Sequence, residues 1–167
     1  FEEQIQDADF LSILIDHLIS DYQVDKARVH IAGFSNGGMM AYRMGCMHAE
    51  KLASISVVAG AMNEIACRPS KSLPLLVIHG ILDRNVPYDG GRPEVQFEKP
   101  GRIDTSVGMS LDFWLARNKC ITRPWIDLQD NVAVELYDPE EGGAQVKLIT
   151  LIEHDHHWPG RGYKGQG

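Results

Sequence analysis

The alternation of apolar and polar positions divides this chain into helices and short buried strands. Residues 7–22 place Phe10, Leu11, Leu14, Ile15, Leu18 and Ile19 at helical spacing, widened by Ile13, with Asp7 and Asp9 at the end that favours negative charge. A short polar link leads to the apolar run 28–32, which suits a buried strand. The stretch from Met39 to Met44 is helical again and ends near His48–Glu50. Residues 52–59 (L-A-S-I-S-V-V-A) and 73–79 (L-P-L-L-V-I-H) read as two more buried strands, with Pro74 at the start of the second, where a missing donor is tolerated. Residues 106–118 form a helix with Val107, Leu111, Trp114 and Leu115 on one face and Ser106 as its cap. Residues 132–137 and 146–152 flank the turn D-P-E-E-G-G and predict a hairpin. Strands separated by helices argue for a largely parallel sheet with helices on both faces. Ligands of such sheets bind at the carboxyl ends of the strands.

Three of those ends carry reactive side chains. After the first strand comes Gly33-Phe34-Ser35-Asn36-Gly37, a G-x-S-x-G between strand and helix. Such a turn is strained and lifts the serine hydroxyl out of the sheet, while glycines two before and two after it let strand and helix approach closely. The helix start points backbone N–H groups, that of Asn36 first, at any developing negative charge. Asp83 follows the strand ending at His79, and His154, Asp155, His156 and His157 follow the last strand. A serine needs a base to become nucleophilic, a histidine supplies it near neutral pH, and a carboxylate fixes the histidine tautomer. The order Ser, Asp, His is that of α/β-hydrolases. Asp89 and, more weakly, Asp155 compete with Asp83, and His154 and His157 compete with His156. His79 reads as packed. His154-x-His156 would put two imidazoles on one face of an extended segment, as a metal site needs, but no third ligand at sensible spacing stands out. Trp158 and Tyr88 are the candidate substrate-lining aromatics, and packing under the histidine loop is an equal reading of Trp158. Met39, Met40, Met44 and Met47 read as core.

Composition narrows the classes. The chain has 167 residues, 44% hydrophobic and 23% charged, as in an ordinary globular chain. A net charge of -7 and no Lys/Arg-rich block argue against a nucleic-acid partner. No apolar run is long enough to span a membrane. The cysteines fit no zinc pattern: Cys46 reads as a small core residue on the helix after the serine turn, while Cys67 and Cys120 lie in loops and could pair.

G-F-S-N-G-G-M-M-A-Y, H-G-I-L-D-R-N-V-P-Y-D-G-G and H-H-W-P-G together resemble the secreted polyhydroxybutyrate depolymerase and feruloyl esterase group of α/β-hydrolases. The resemblance runs from about the first helix to Gly160. It implies a serine carboxylesterase without a cofactor, with Ser35 as nucleophile, Asp83 as acid and His156, two before Trp-Pro-Gly, as base. It implies an extracellular protein acting on polyhydroxyalkanoate, or on feruloyl or acetyl esters of plant polysaccharide. It also implies one catalytic domain over 1–167 in a partial α/β-hydrolase fold, lacking the usual N-terminal strands, their oxyanion loop and the last helix. One oxyanion donor, the N–H of Asn36, is present. The chain departs from the group in carrying His154-Asp155 where two glycines usually precede the base. Two other readings stay open: a non-catalytic remnant of such a hydrolase, and a serine peptidase of the same superfamily.

Overall fold

The computed structural model describes residues 6–64, 66–94, 101–121 and 123–160. The helix α1 (Asp7–Tyr22) leads through a single 3-10 turn into β1 (His30–Phe34), followed by α2 (Asn36–Met47) and β2 (Ser54–Val58). Next come β3 (Leu75–Gly80), α3 (Val107–Arg117), and the strands β4 (Trp125–Gln129), β5 (Val132–Tyr137) and β6 (Val146–Leu151). The strands form one sheet in the order β1-β2-β3-β6-β5-β4. Neighbours from β1 to β6 run parallel, and β6-β5-β4 run antiparallel.

Register explains where the core sits. Ile31, Ile55, Leu75, Val146 and Tyr137 form one row across the sheet, and Val57, Val77 and Leu148 belong to the next row on the same face. These residues share a single core cluster with Ala8, Leu11 and Ile15 of α1, Ala41, Tyr42 and Met44 of α2, and Val107, Leu111 and Trp114 of α3. Among the described residues, α1, α2 and α3 all contribute to this core. The alternate positions Leu76, Ile78, Lys147 and Ile149 stay half-exposed. Inside the core, Tyr42 stacks on Trp114 with ring centroids 6.5 Å apart. The fully buried Asn118 receives the Leu73 N–H (2.9 Å) and donates to the Leu73 carbonyl (2.7 Å), fastening the entry of β3 to the end of α3.

Several expectations need correction. The buried face of α1 is not the full apolar stripe: Ala8 and Ser12 are buried, whereas Phe10 and Ile13 are 63% and 67% exposed. Ser12 turns inward because Lys51 Nζ donates to its hydroxyl at 2.6 Å, which docks the helix through a polar contact that an apolar pattern does not register. The strand β4 was not foreseen. Its sequence W-I-D-L-Q puts apolar residues on both faces of a strand at the sheet edge, with Trp125, Ile126 and Leu128 all about three-fifths exposed, so no buried face marks it. The available signal was the two-residue link Asp130-Asn131, where Asp130 adopts φ 49° between the paired Gln129 and Val132. Cys67 pairs with Cys46, not with Cys120. The disulfide ties the end of α2 to the segment after β2, and the Cys120 thiol is free, 3.2 Å from the Ala144 carbonyl. Of the methionines, Met44 is core, while Met47 is 45% exposed.

Candidate active site

The serine turn is built from close contacts. Ser35 adopts φ 55°, a conformation that costs a non-glycine residue about 1–3 kcal/mol. Its N–H donates to the Val58 carbonyl at 2.9 Å, and its own carbonyl accepts from Met39 N–H in the first turn of α2. A Cβ on Gly33 would lie 2.0 Å from the Gly37 carbonyl oxygen, so the glycine before the serine is obligatory. The glycine after it is not required for space: a Cβ on Gly37 would meet nothing within 4 Å. The tight position on that side is Gly38, where a Cβ would lie 3.1 Å from a Val57 methyl.

Asp83 and His156 meet Ser35 through the crossing of two loops. A Cβ on Gly80 would stand 2.1 Å from the His154 carbonyl oxygen, and that same carbonyl accepts from Leu82 N–H at 3.0 Å. The loop after β3 and the loop after β6 are thus stapled where Gly80 lets them touch. His156 Nδ1 lies 2.8 Å from Asp83 Oδ2, and its Nε2 lies 2.9 Å from Ser35 Oγ. A carboxylate only accepts, so Nδ1 carries the proton and Nε2 is left to accept the serine hydroxyl. Asp83 is 5% exposed, and its Oδ1 accepts from the N–H groups of Asn85 (2.9 Å) and Val86 (2.8 Å). Burial pushes its carboxyl up, but the hydrogen bonds from His156, His79 and Val86 outweigh this and hold it well below the usual carboxylate range.

The competing residues are placed elsewhere. Asp89 is exposed. Asp155 accepts the His156 backbone N–H at 2.6 Å and so braces the turn that carries His156. His154 Nε2 lies 3.1 Å from the His157 carbonyl, while His156 faces Ser35 and Asp83, so the two rings of His154-x-His156 do not share a focus. No group of metal-ligating side chains is found among the described residues. Asn36 opens α2 and is exposed beside Ser35. Trp158 is 47% exposed and meets Phe34 edge-on at 6.2 Å. Tyr88 is half-buried, packs edge-on against His79 at 5.8 Å, and its hydroxyl is engaged by Thr150 Oγ1 at 2.9 Å. Two residues escaped the sequence reading. Phe34, the first variable position of the motif, lies against the His156 ring at 4.8 Å. His79 is packed, as expected, but packed against Asp83. The Phe34 contact has no signature in sequence spacing, because it joins segments that meet only in the sheet, whereas the His79 contact spans four residues and depends on the turn that follows β3.

The sheet order, the strand-turn-helix around Ser35 and the loops at the strand ends define the α/β-hydrolase fold. The solved structures bear this out at the level of fold. An acetyl xylan esterase from Aspergillus awamori superposes with a TM-score of 0.62 at 13% identity, over 89% of this chain and 61% of that one. SOBER1 from Arabidopsis thaliana gives 0.56 at 16% identity, over 92% and 56%. Residues 2–99 match the phospholipase/carboxylesterase family, and the chain belongs to it. Among its relatives are feruloyl esterase B of Piromyces equi (32% identical, over 90% of this chain and 28% of the relative) and a putative esterase, NocK, of Nocardia uniformis subsp. tsuyamanensis (37%, over 92% and 49%). The chain therefore spans half or less of the length of these curated relatives. No helix among the described residues is long and apolar enough to cross a membrane.

Proposed function

We propose that the chain carries the reactive centre of a carboxylic-ester hydrolase that works through an acyl-enzyme on Ser35. The observation behind this reading is the hydrogen-bonded row Ser35–His156–Asp83, with links of 2.9 and 2.8 Å. His156 Nε2 takes the Ser35 proton as Oγ attacks the ester carbonyl, and Asp83 stabilises the imidazolium that forms. The N–H of Asn36, at the start of α2, serves as a donor to the developing oxyanion. The protonated His156 gives its proton to the leaving alcohol, and water, deprotonated by His156, then releases the acid from Ser35. Trp158 and Phe34 beside the base offer an apolar rim for the substrate. Feruloyl or acetyl esters of plant polysaccharide are the substrates favoured by the relatives' names, which include feruloyl esterase B and a bifunctional acetylxylan esterase/xylanase. Polyhydroxyalkanoate is favoured by the motif resemblance alone. The Cys46–Cys67 disulfide supports an oxidising, extracellular setting.

Intact-mass labelling with a fluorophosphonate, on the chain and on Ser35→Ala, tests the reading. One adduct lost in the variant supports it, and a panel of feruloyl, acetyl and hydroxyalkanoate esters with an amide control then separates the substrates. A folded chain that takes no adduct refutes it in favour of a non-catalytic remnant.

A further inference from the structure

Among the buried polar groups of the sheet, His79 has the most specific surroundings. It is 2% exposed, on β3 at the centre of the sheet, directly opposite Thr150 of β6. Its Nε2 lies 2.8 Å from the Val86 carbonyl and 3.3 Å from Asp83 Oδ2. Both neighbours only accept, so Nε2 carries the proton. Its Nδ1 is buried without a hydrogen-bond partner among the described residues, so the ring is held through Nε2 alone. The contacts close a ring: Val86 N–H donates to Asp83 Oδ1, His79 donates to the Val86 carbonyl, and the same His79 N–H flanks Asp83 Oδ2. Each carboxylate oxygen is thereby held from a different direction. A second ring steadies His79 itself, since Tyr88 packs on its imidazole and binds the hydroxyl of Thr150.

We propose that His79 is a positioning residue, which fixes the rotation of the Asp83 carboxylate so that Oδ2 faces His156 Nδ1. It touches neither Ser35 nor the base and acts only through Asp83. Its part in a reaction presupposes the ester-hydrolase chemistry proposed above, but the hold on Asp83 can be read without any turnover. The titratable groups facing Asp83 are His156 and His79, with Tyr88 behind the latter.

The test compares His79→Gln, whose amide nitrogen can replace the Nε2 donor, with His79→Asn, whose shorter amide cannot. The Asp83 carboxyl is titrated by carbon NMR, and Ser35 labelling by the fluorophosphonate is timed across pH. In His79→Asn the Asp83 titration moves up by about half a pH unit or more, because a donor favouring the charged form is gone. Labelling there slows about tenfold, with its acid limb shifted the same way, and His79→Gln restores both. Unmoved titration in a folded His79→Asn protein overturns the assignment, whatever the labelling shows. A wild type that takes no label counts against the ester-hydrolase reading alone, since the carboxyl titration still decides the role of His79. If His79→Asn does not fold, the His79 Nε2–H resonance of the wild type decides: movement in step with Asp83 protonation supports the role, and indifference to it overturns it.

Discussion

Gly80→Ala is the sharpest probe of how the two loops are joined, because the substituted residue touches neither Ser35 nor His156. A methyl carbon there would lie 2.1 Å from the His154 carbonyl oxygen. An ordinary carbon–oxygen approach is about 3.3 Å, so one loop must retreat by about 1 Å. β3 is paired on both sides, to β2 and β6, whereas the segment from His154 to Gly160 lies outside any strand, so the His156 loop is the one that gives way. The links to Ser35 and Asp83 are 2.9 and 2.8 Å. A displacement of about 1 Å carries at least one of them past roughly 3.5 Å, where it is no longer a hydrogen bond. The expected loss in the rate of Ser35 labelling is about 10²-fold, from misplacement alone. The fold should survive, because the losses are confined to the Leu82 N–H to His154 carbonyl bond and a link of His156, at about 1 kcal/mol each. The assay is the second-order labelling rate by intact mass, with circular dichroism and thermal unfolding on the same samples. A folded Gly80→Ala protein labelled at the wild-type rate would refute the claim that this crossing sets the geometry of the base.

Other substitutions test other links. Replacing Cys46 and Cys67 by serine opens a loop of sequence separation 21; chain entropy sets the cost at about 3 kcal/mol, a fall in Tm of roughly 6–12 °C by calorimetry. Asn118→Ala leaves the Leu73 N–H and carbonyl unpaired in the core and should cost about 2–4 kcal/mol in urea unfolding; a cost below about 1 kcal/mol would mean water replaces the amide. Asp83→Asn should slow labelling by about 10⁴-fold, because an amide facing Nδ1 favours the wrong tautomer. For wild-type Asp83 the folded value lies below the unfolded one of about 3.9, so the ionised group adds stability that is present above that pH and is lost as pH falls toward the folded value. Unfolding free energies of wild type and Asp83→Asn should therefore converge in acid, and a constant gap would contradict the sign.

What the chain order carried by itself was local. Residues 7–22, 106–118 and 132–137 announce their elements through periodicity and capping, and Ser106 caps α3 by accepting from Met109 N–H as expected. The serine turn is legible because glycine at position 33 and strand-to-helix succession lie within one short window. Asp83 and His156 were legible as types in an order, since each follows a strand. Their meeting was decided by the sheet: residues 35, 83 and 156 converge because β1, β3 and β6 run parallel and open their loops at one end. Contacts between distant segments have no period, so the Cys46–Cys67 pairing, the inward turn of Ser12 and the Phe34 contact with His156 could come only from tertiary structure. The physical reason is common to all of them. Local propensity and amphipathicity act within a few residues, whereas disulfides, loop crossings and shared hydrogen bonds depend on which strands the folded sheet makes neighbours.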